Sequence, residues 1–284
     1  MKKAFLNFLI FLMVFIFGLN YNLFAETTVD TENVSISTST ENNENNIEIK
    51  EDIYDDGSFE YRYVNGVLDG ITKEYDADKN LVKEWKYVDG FLNGITIEYY
   101  PDGTIAIKSE YKNSKLNGGT IIYHENGKIY ISSNYINDLL NGLYKEFDVE
   151  GNVVIEASYK GEKLEGLYLK HYSNGQIKAK VNYVNGLKQG PFKKYYENGK
   201  IKQEASYIND LMEGLSKEYY ENGSLYKETE YKADNKNGLE KTYSSKNSNI
   251  IISEDKYEDN VIIESKGYSE TGKLLAVNKF EDDF

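Results

Sequence analysis

The chain has 284 residues, 47 acidic against 33 basic, and a formal charge of −14. That acidity, with Arg62 as its one arginine, argues against nucleic acid and anionic lipid and leaves cationic or neutral partners. The absence of cysteine excludes disulfides and thiolate metal ligands, and no Cys-based or histidine-based triad can be assembled.

Lys2 and Lys3 precede an almost wholly apolar run from Ala4 to Gly18, after which Leu19 to Ala25 turns mildly polar. This is the pattern of a secretory signal peptide, with cleavage expected after Ala25 although Leu23 stands where a small residue is preferred. An uncleaved anchor is the competing reading, but the run is short of the ~20 residues a span needs. Cleavage removes two lysines and no acid, which takes the formal charge to −16. The expected destination is the periplasm, the cell surface or the medium, with no transmembrane span left. Residues 26–50, rich in Thr, Ser, Asn and Glu, cannot bury enough surface to offset their ordering entropy and read as a flexible acidic linker.

From residue 51 onward the chain is periodic. Tyr63, Tyr87, Tyr111, Tyr135, Tyr159, Tyr183, Tyr207 and Tyr231 recur every 24 residues. Seven residues after each stands a glycine: Gly70, Gly94, Gly118, Gly142, Gly166, Gly190, Gly214 and Gly238. A fixed period of this size marks a repeat array in which each unit buries its apolar face against the next. Two turn signals punctuate a unit, as at Asn185-Gly186 and Asn198-Gly199, and supply the positive φ that tight hairpins need. Between them lie runs of strand length.

The strand before each period tyrosine alternates. Ile105, Ile129, Ile177 and Ile201 lie six residues ahead of it, and mostly small residues such as Ser109, Ser133, Ala157 and Ala205 lie two ahead, a half-buried pattern. The strand after each glycine carries an aliphatic one residue on (Ile71, Ile95, Leu143, Leu167, Leu215) and an aromatic five on (Tyr75, Tyr99, Tyr123, Phe147, Tyr195, Tyr219, Tyr243). These two columns share a face. The aromatic column is expected to be a second rail facing the period tyrosines. Leucines two residues before the glycine (Leu68, Leu92, Leu116, Leu140, Leu164) are placed to plug the turn. The glycine itself calls for a positive φ or a ring lying on the backbone.

Both ends decay, as caps should. Tyr54-Asp55-Asp56-Gly57 opens a half-repeat with a shortened strand, and a degenerate ninth unit follows Tyr257 with Gly272, Leu274 and Phe280 in its columns. The fold expected is all-β: an elongated, twisted single-layer antiparallel meander of 24-residue β-hairpins over residues 51–284. Its open ends invite end-to-end association, with the acidic run Glu281 to Asp283 placed to block one of them.

The pattern Tyr-x-Asn-Gly-x-Leu-x-Gly-x4-Tyr-Tyr-x-Asn-Gly-x-Ile, read across residues 87–103, 183–199 and 207–223, resembles the MORN repeat variant found in YwqK-type antitoxin family proteins. The resemblance covers about residues 54–280. It implies a β-hairpin ribbon with an interaction role and no catalytic residues.

Asp76-Ala77-Asp78-Lys79-Asn80 opens like a calcium loop, but Leu81 stands where its glycine should be and Tyr87 where its closing glutamate should be. His124 and His171 substitute repeat tyrosines and do not form an acid–base pair. An outer-membrane barrel is rejected, because the strands are short of the ~9–11 residues required. In the pairs Tyr99/Tyr100, Tyr195/Tyr196 and Tyr219/Tyr220 one ring falls on each face. The first ring of each is assigned to packing. The second column, Tyr100, Tyr172, Tyr196 and Tyr220, has no packing duty visible in the sequence and is the candidate partner-binding surface. No catalytic residue, cofactor or metal is expected. The reading is an exported, non-enzymatic scaffold that binds a protein. A cell-wall or glycan-binding module and an immunity-type protein neutralising a toxin are the alternatives.

Overall fold

The computed structural model describes residues 36–42 and 47–280, with side chains described from Ile47 onward. The expected signal peptide, residues 26–35 of the expected linker and the acidic run at Glu281 lie outside the described residues. Among the described residues there is no helix, and all strand segments, 26 in number, join one antiparallel sheet. Neighbours in sequence are neighbours in the sheet from the hairpin Ile36–Asn42 with Ile47–Tyr54 to the hairpin Val261–Tyr268 with Leu274–Lys279.

The sheet starts earlier than composition suggests. Ile36–Asn42 pairs with Ile47–Tyr54 in unbroken register, inside the stretch read as linker. Ile47–Tyr54 and Gly57–Val64 are full strands of eight residues, not a shortened half-repeat. Ile47, Ile49 and Ile53 keep a period-two pattern and Ser and Thr favour extended backbone, so a neighbouring sheet edge can order a segment too polar to fold alone.

Each unit turns twice. At one edge a two-residue turn has both residues at positive φ, as in Asn185 (54°) and Gly186 (87°), the geometry that matches strand twist. Asn137-Asp138 and Asn209-Asp210 adopt it without glycine, because Asn and Asp tolerate the left-handed region. At the other edge a longer loop closes on one glycine, as where Tyr196 donates its N–H to the Lys200 carbonyl and Gly199 donates to the Tyr196 carbonyl, each at 2.9–3.0 Å. A bulge in every unit sits beside this loop, for example between Glu98 and Tyr99 opposite Ile105–Ile107.

Register explains the period. Each repeat glycine lies directly across from the next tyrosine: Gly70 from Tyr87, Gly94 from Tyr111, Gly142 from Tyr159 and Gly214 from Tyr231. On the other side that tyrosine faces a plug residue, as Tyr63 faces Leu68, Tyr135 faces Leu140 and Tyr207 faces Met212. All eight repeat glycines have positive φ, from 77° at Gly190 to 130° at Gly118. At Gly94 a β-carbon would meet the Lys86 side chain, so the residue lying over that backbone is a lysine stem and not an aromatic ring.

Candidate interaction surface

The two faces of the sheet differ. Because Gly94 pairs with Tyr111 and Thr96 with Ser109, the period tyrosines, the small column and the residue two after each glycine share one face. Nearly all buried residues are there: Thr72, Thr96, Ser109, Thr120, Ile131, Ser133, Tyr144, Ala157, Val181, Ala205, Ser216, Thr229 and Glu240. The packing is size-compensated. Trp85 stands across from Thr72, whereas Tyr144, Tyr168 and Phe192 stand across from Ala157, Val181 and Ala205. Those three rings meet the next period tyrosine edge-on, at centroid distances of 5.7–5.9 Å. The column two residues after the glycine is therefore part of the core, a role the sequence signals only through its size exchange with the partner column.

The aromatic residue five after the glycine lies on the opposite face, so the expectation of two facing aromatic rails is corrected. Tyr99, Tyr219 and Tyr243 donate their hydroxyls to Glu84, Glu204 and Glu228 of the preceding strand at 2.9, 2.9 and 2.7 Å. Desolvation first, and then the carboxylate, push all three phenols up to about 12. His171 takes the same position, with Nε2 3.4 Å from Glu156. Cross-strand pairs Lys145–Glu156, Lys193–Glu204 and Lys217–Glu228, at 2.6–3.2 Å, run along this face. The Lys193 hydrogen bond, aided by Tyr219, holds the Glu204 carboxyl below its usual range.

The candidate binding tyrosines have a structural duty. Tyr172 and Tyr196 donate their hydroxyls to the carbonyls of Tyr195 and Tyr219, 23 residues on, at 2.7 and 2.6 Å. Tyr100 does the same to Tyr123, and Tyr220 to Tyr243. His124 continues the row, Nε2 to the Phe147 carbonyl at 3.2 Å. Each ring is half-buried. The contacts place the row beside the core: His124 packs on Tyr130, which lies against the buried cluster around Ile131 and Tyr144. Lys178 and Lys202 cover the Tyr172 and Tyr196 rings at 5.1 Å. The row is a staple between successive units, and the expectation that it lacks a packing duty is corrected.

Side chains lace both turn edges. Asn126, Asn174 and Asn198 donate to carbonyls 23 residues on. At the two-residue turns, Asp138, Asp210 and Asp234 accept from the backbone N–H of Leu116, Lys188 and Met212. The calcium-like segment is one of the longer loops at the opposite edge: Asp76 accepts from the Asn80 backbone and amide, and Asp148 repeats the arrangement with Asn152. An open hollow of about 140 Å³ beside it is lined by Glu51, Tyr54, Ser58, Asp76 and Lys79. Among the described residues no group of three or more His, Asp and Glu side chains is placed to hold a metal ion, and no helix is long and apolar enough to cross a membrane.

What the packing leaves uncovered is aliphatic. Ile71, Ile95, Leu143, Leu167 and Leu215, one residue after their glycines, are 45–62% exposed. They share a face with the exposed turn flanks Val88, Phe91, Ile136, Leu139, Ile208 and Leu211, since these lie beside period tyrosines that point the other way. The result is a stripe that crosses the strands, bordered by the Lys–Glu pairs.

These features define an open β-hairpin repeat protein, stabilised by nearest-neighbour stacking with its side chains shared between two faces. Comparison with known families supplies the closer identity. The MORN repeat variant matches residues 68–89, 92–113, 116–137, 164–185, 188–209 and 212–233, and the chain belongs to the MORN-variant repeat proteins. The unit at 140–161, where Asp148 replaces the stapling tyrosine, is outside the matched ranges. A search among curated proteins finds no match.

Proposed function

We propose that this chain is an exported, non-enzymatic scaffold that binds a protein through the aliphatic stripe centred on Leu143 and Leu167. The stripe carries the reading: exposed aliphatics in register along one sheet face exceed the scattered single residues that are normal on a surface. The Lys–Glu pairs beside it give a polar rim around an apolar centre, the usual anatomy of a protein interface. The overall charge of −14 favours a partner of neutral or basic surface. Export rests on Lys2, Lys3 and the apolar run to Gly18.

The test compares the full chain with a Leu143→Ser/Leu167→Ser/Leu215→Ser variant and a Tyr100→Ser/Tyr196→Ser/Tyr220→Ser variant. Each is used as bait for envelope proteins and, separately, for cell-wall polysaccharide, with retained proteins identified by mass. The leucine variant should keep its β-sheet circular dichroism and lose the identified partner. The tyrosine variant should melt at lower temperature. A partner retained undiminished by the leucine variant, or specific retention of polysaccharide alone, would overturn the proposal.

A further inference from the structure

Among the described residues, side-chain hydrogen bonds tie each repeat to the next from the Tyr63 unit to the Tyr231 unit, with one exception. Between the units that begin at Tyr111 and Tyr135, His124, Asn126 and Lys128 reach carbonyls of the following loop, and Asp138 takes the Leu116 N–H. Between the units of Tyr159 and Tyr183, Tyr172 and Asn174 do so at the loop edge, and Glu165 takes the Asn185 N–H at the turn edge. Between residues 135–158 and 159–182 no side-chain hydrogen bond crosses among the described residues. The substitutions account for this column by column. Asp148 and Glu150 stand where the stapling ring and the loop asparagine stand elsewhere, and Asp148 folds back on Asn152. At the turn edge, Asn141 stands in the column of Glu165 and Glu162 in that of Asp210, and neither makes the corresponding bond. His171 replaces the tyrosine that elsewhere donates to a glutamate of the preceding strand. Its Nε2 is buried 3.4 Å from Glu156 without a hydrogen-bond partner.

What crosses this junction is the backbone ladder and apolar packing. Ile155 and Glu156 pair with Lys170 and Leu169, and Glu162 donates its N–H to the Leu140 carbonyl at 2.9 Å. On the core face Leu164 and Tyr168 pack against the cluster of Leu140, Tyr144 and Ala157. Apolar burial is non-directional, whereas a hydrogen bond fixes distance and angle. A junction with the first and without lacing at its edges keeps two repeats together and leaves the angle between them free to vary.

We infer that this junction is the bending joint of the array, between the strands Val153–Lys160 and Gly166–His171, with laced and stiffer ribbon on either side. The family comparison agrees in place, since the unit at 140–161 is the interior one outside the matched ranges. The joint also divides the aliphatic stripe: Leu143, 62% exposed, lies before it and Leu167, 54% exposed, lies after it. Bending would change the spacing and tilt of these two side chains, and a partner that binds one bend better than another would shift the array toward it. That use rests on the binding role proposed above. The joint itself does not.

The chain has no cysteine, so introduced thiols carry spin labels without background. In the full chain, Glu125→Cys/Ser173→Cys and Ser173→Cys/Glu221→Cys place labels at equivalent exposed loop positions. Each pair lies two repeats apart, about 19 Å at ~4.8 Å per strand. The first pair spans the untied junction and the second spans only tied ones. The dipolar distance distribution of the first pair should be about twice as wide as that of the second, as a hinge between stiff elements requires. Adding Asp148→Tyr/Glu150→Asn to the first pair supplies both loop-edge ties and should narrow it to the width of the second. Six residues on from the staple, other units hold Ala106, Lys178, Lys202 or Tyr226, so Val154 admits the ring. Glu150→Asn alone restores one tie without a ring and should narrow the distribution in part. Equal widths for the two pairs, or a wide first distribution that persists when a folded variant carries the ties, would overturn the inference. No partner is present in this measurement, so its failure leaves the leucine variant's test of binding intact.

Discussion

Tyr196 shows how one side chain holds two repeats together. Its ring lies under the Lys202 ammonium, and its hydroxyl closes on the Tyr219 carbonyl at 2.6 Å, an acceptor 23 residues away. That carbonyl flanks the bulge between Glu218 and Tyr219, where the ladder is locally disrupted. An unpaired carbonyl there would cost about 1–3 kcal/mol if shielded from water. Tyr196→Phe keeps the ring and removes only the donor. It should lower stability by about 0.5–1.5 kcal/mol in a denaturant titration, and Tyr172→Phe should do the same. Equal stability of both variants with wild type would mean that water replaces the hydroxyl and that the staple acts through ring packing alone. Histidine serves in this column because its Nε2 reaches the equivalent carbonyl, as His124 reaches Phe147. Aspartate is too short, and Asp148 instead folds back on Asn152.

At the scale of the hairpin, the size exchange across the core face makes a sharper test. Tyr144 is buried opposite Ala157, while the first unit solves the same packing problem with Thr72 opposite Trp85. Tyr144→Thr should cost about 3 kcal/mol through lost burial and a cavity. Ala157→Trp alone should also destabilise by overpacking. The double variant recreates the first unit's pair and should recover more than half of the combined loss, read as the coupling energy of a double-mutant cycle. Additive losses would show that the two columns do not share one volume. The hairpins themselves, the glycine period and the leucine plugs were legible in the sequence, because turn chemistry and alternation are local signals. The face that each column occupies was not. It depends on Gly94 lying across from Tyr111 and not from its neighbour, a register set by a partner strand. Period-two counting groups Ile95 with Tyr99 and Ser109 with Tyr111 correctly, yet cannot say that these groups lie back to back. The duty of Tyr100 was hidden for the same reason, since its acceptor is a backbone atom of the next repeat. The hairpin at Ile36–Ile53 escaped a reading based on composition, because its order comes from pairing with an existing edge.

Across the whole molecule, tyrosine ionisation links these local contacts to a common response. The chain carries 27 tyrosines, and burial raises most of those on the core face, among them Tyr111, Tyr135, Tyr159, Tyr183 and Tyr207. On the other face Tyr99, Tyr219 and Tyr243 rise to about 12 from 10.0, through desolvation and then through Glu84, Glu204 and Glu228. A phenol whose folded pKa exceeds its unfolded value holds its proton more tightly in the fold. The stability it contributes is complete below pH 10 and is lost as pH rises from 10 toward 12, because the unfolded chain ionises first. Stacked repeats stabilise one another only through their neighbours, so several such losses along one sheet should unfold the array together. Absorbance of tyrosinate followed against pH should therefore contain a component that rises only above pH 10, more steeply than independent phenols allow, with loss of β-sheet circular dichroism at the same midpoint. A tyrosinate curve centred at pH 10 with the sheet signal intact would show that the hydroxyls titrate freely on the folded array. The stapling and carboxylate-bound phenols would then contribute nothing to holding the repeats in register.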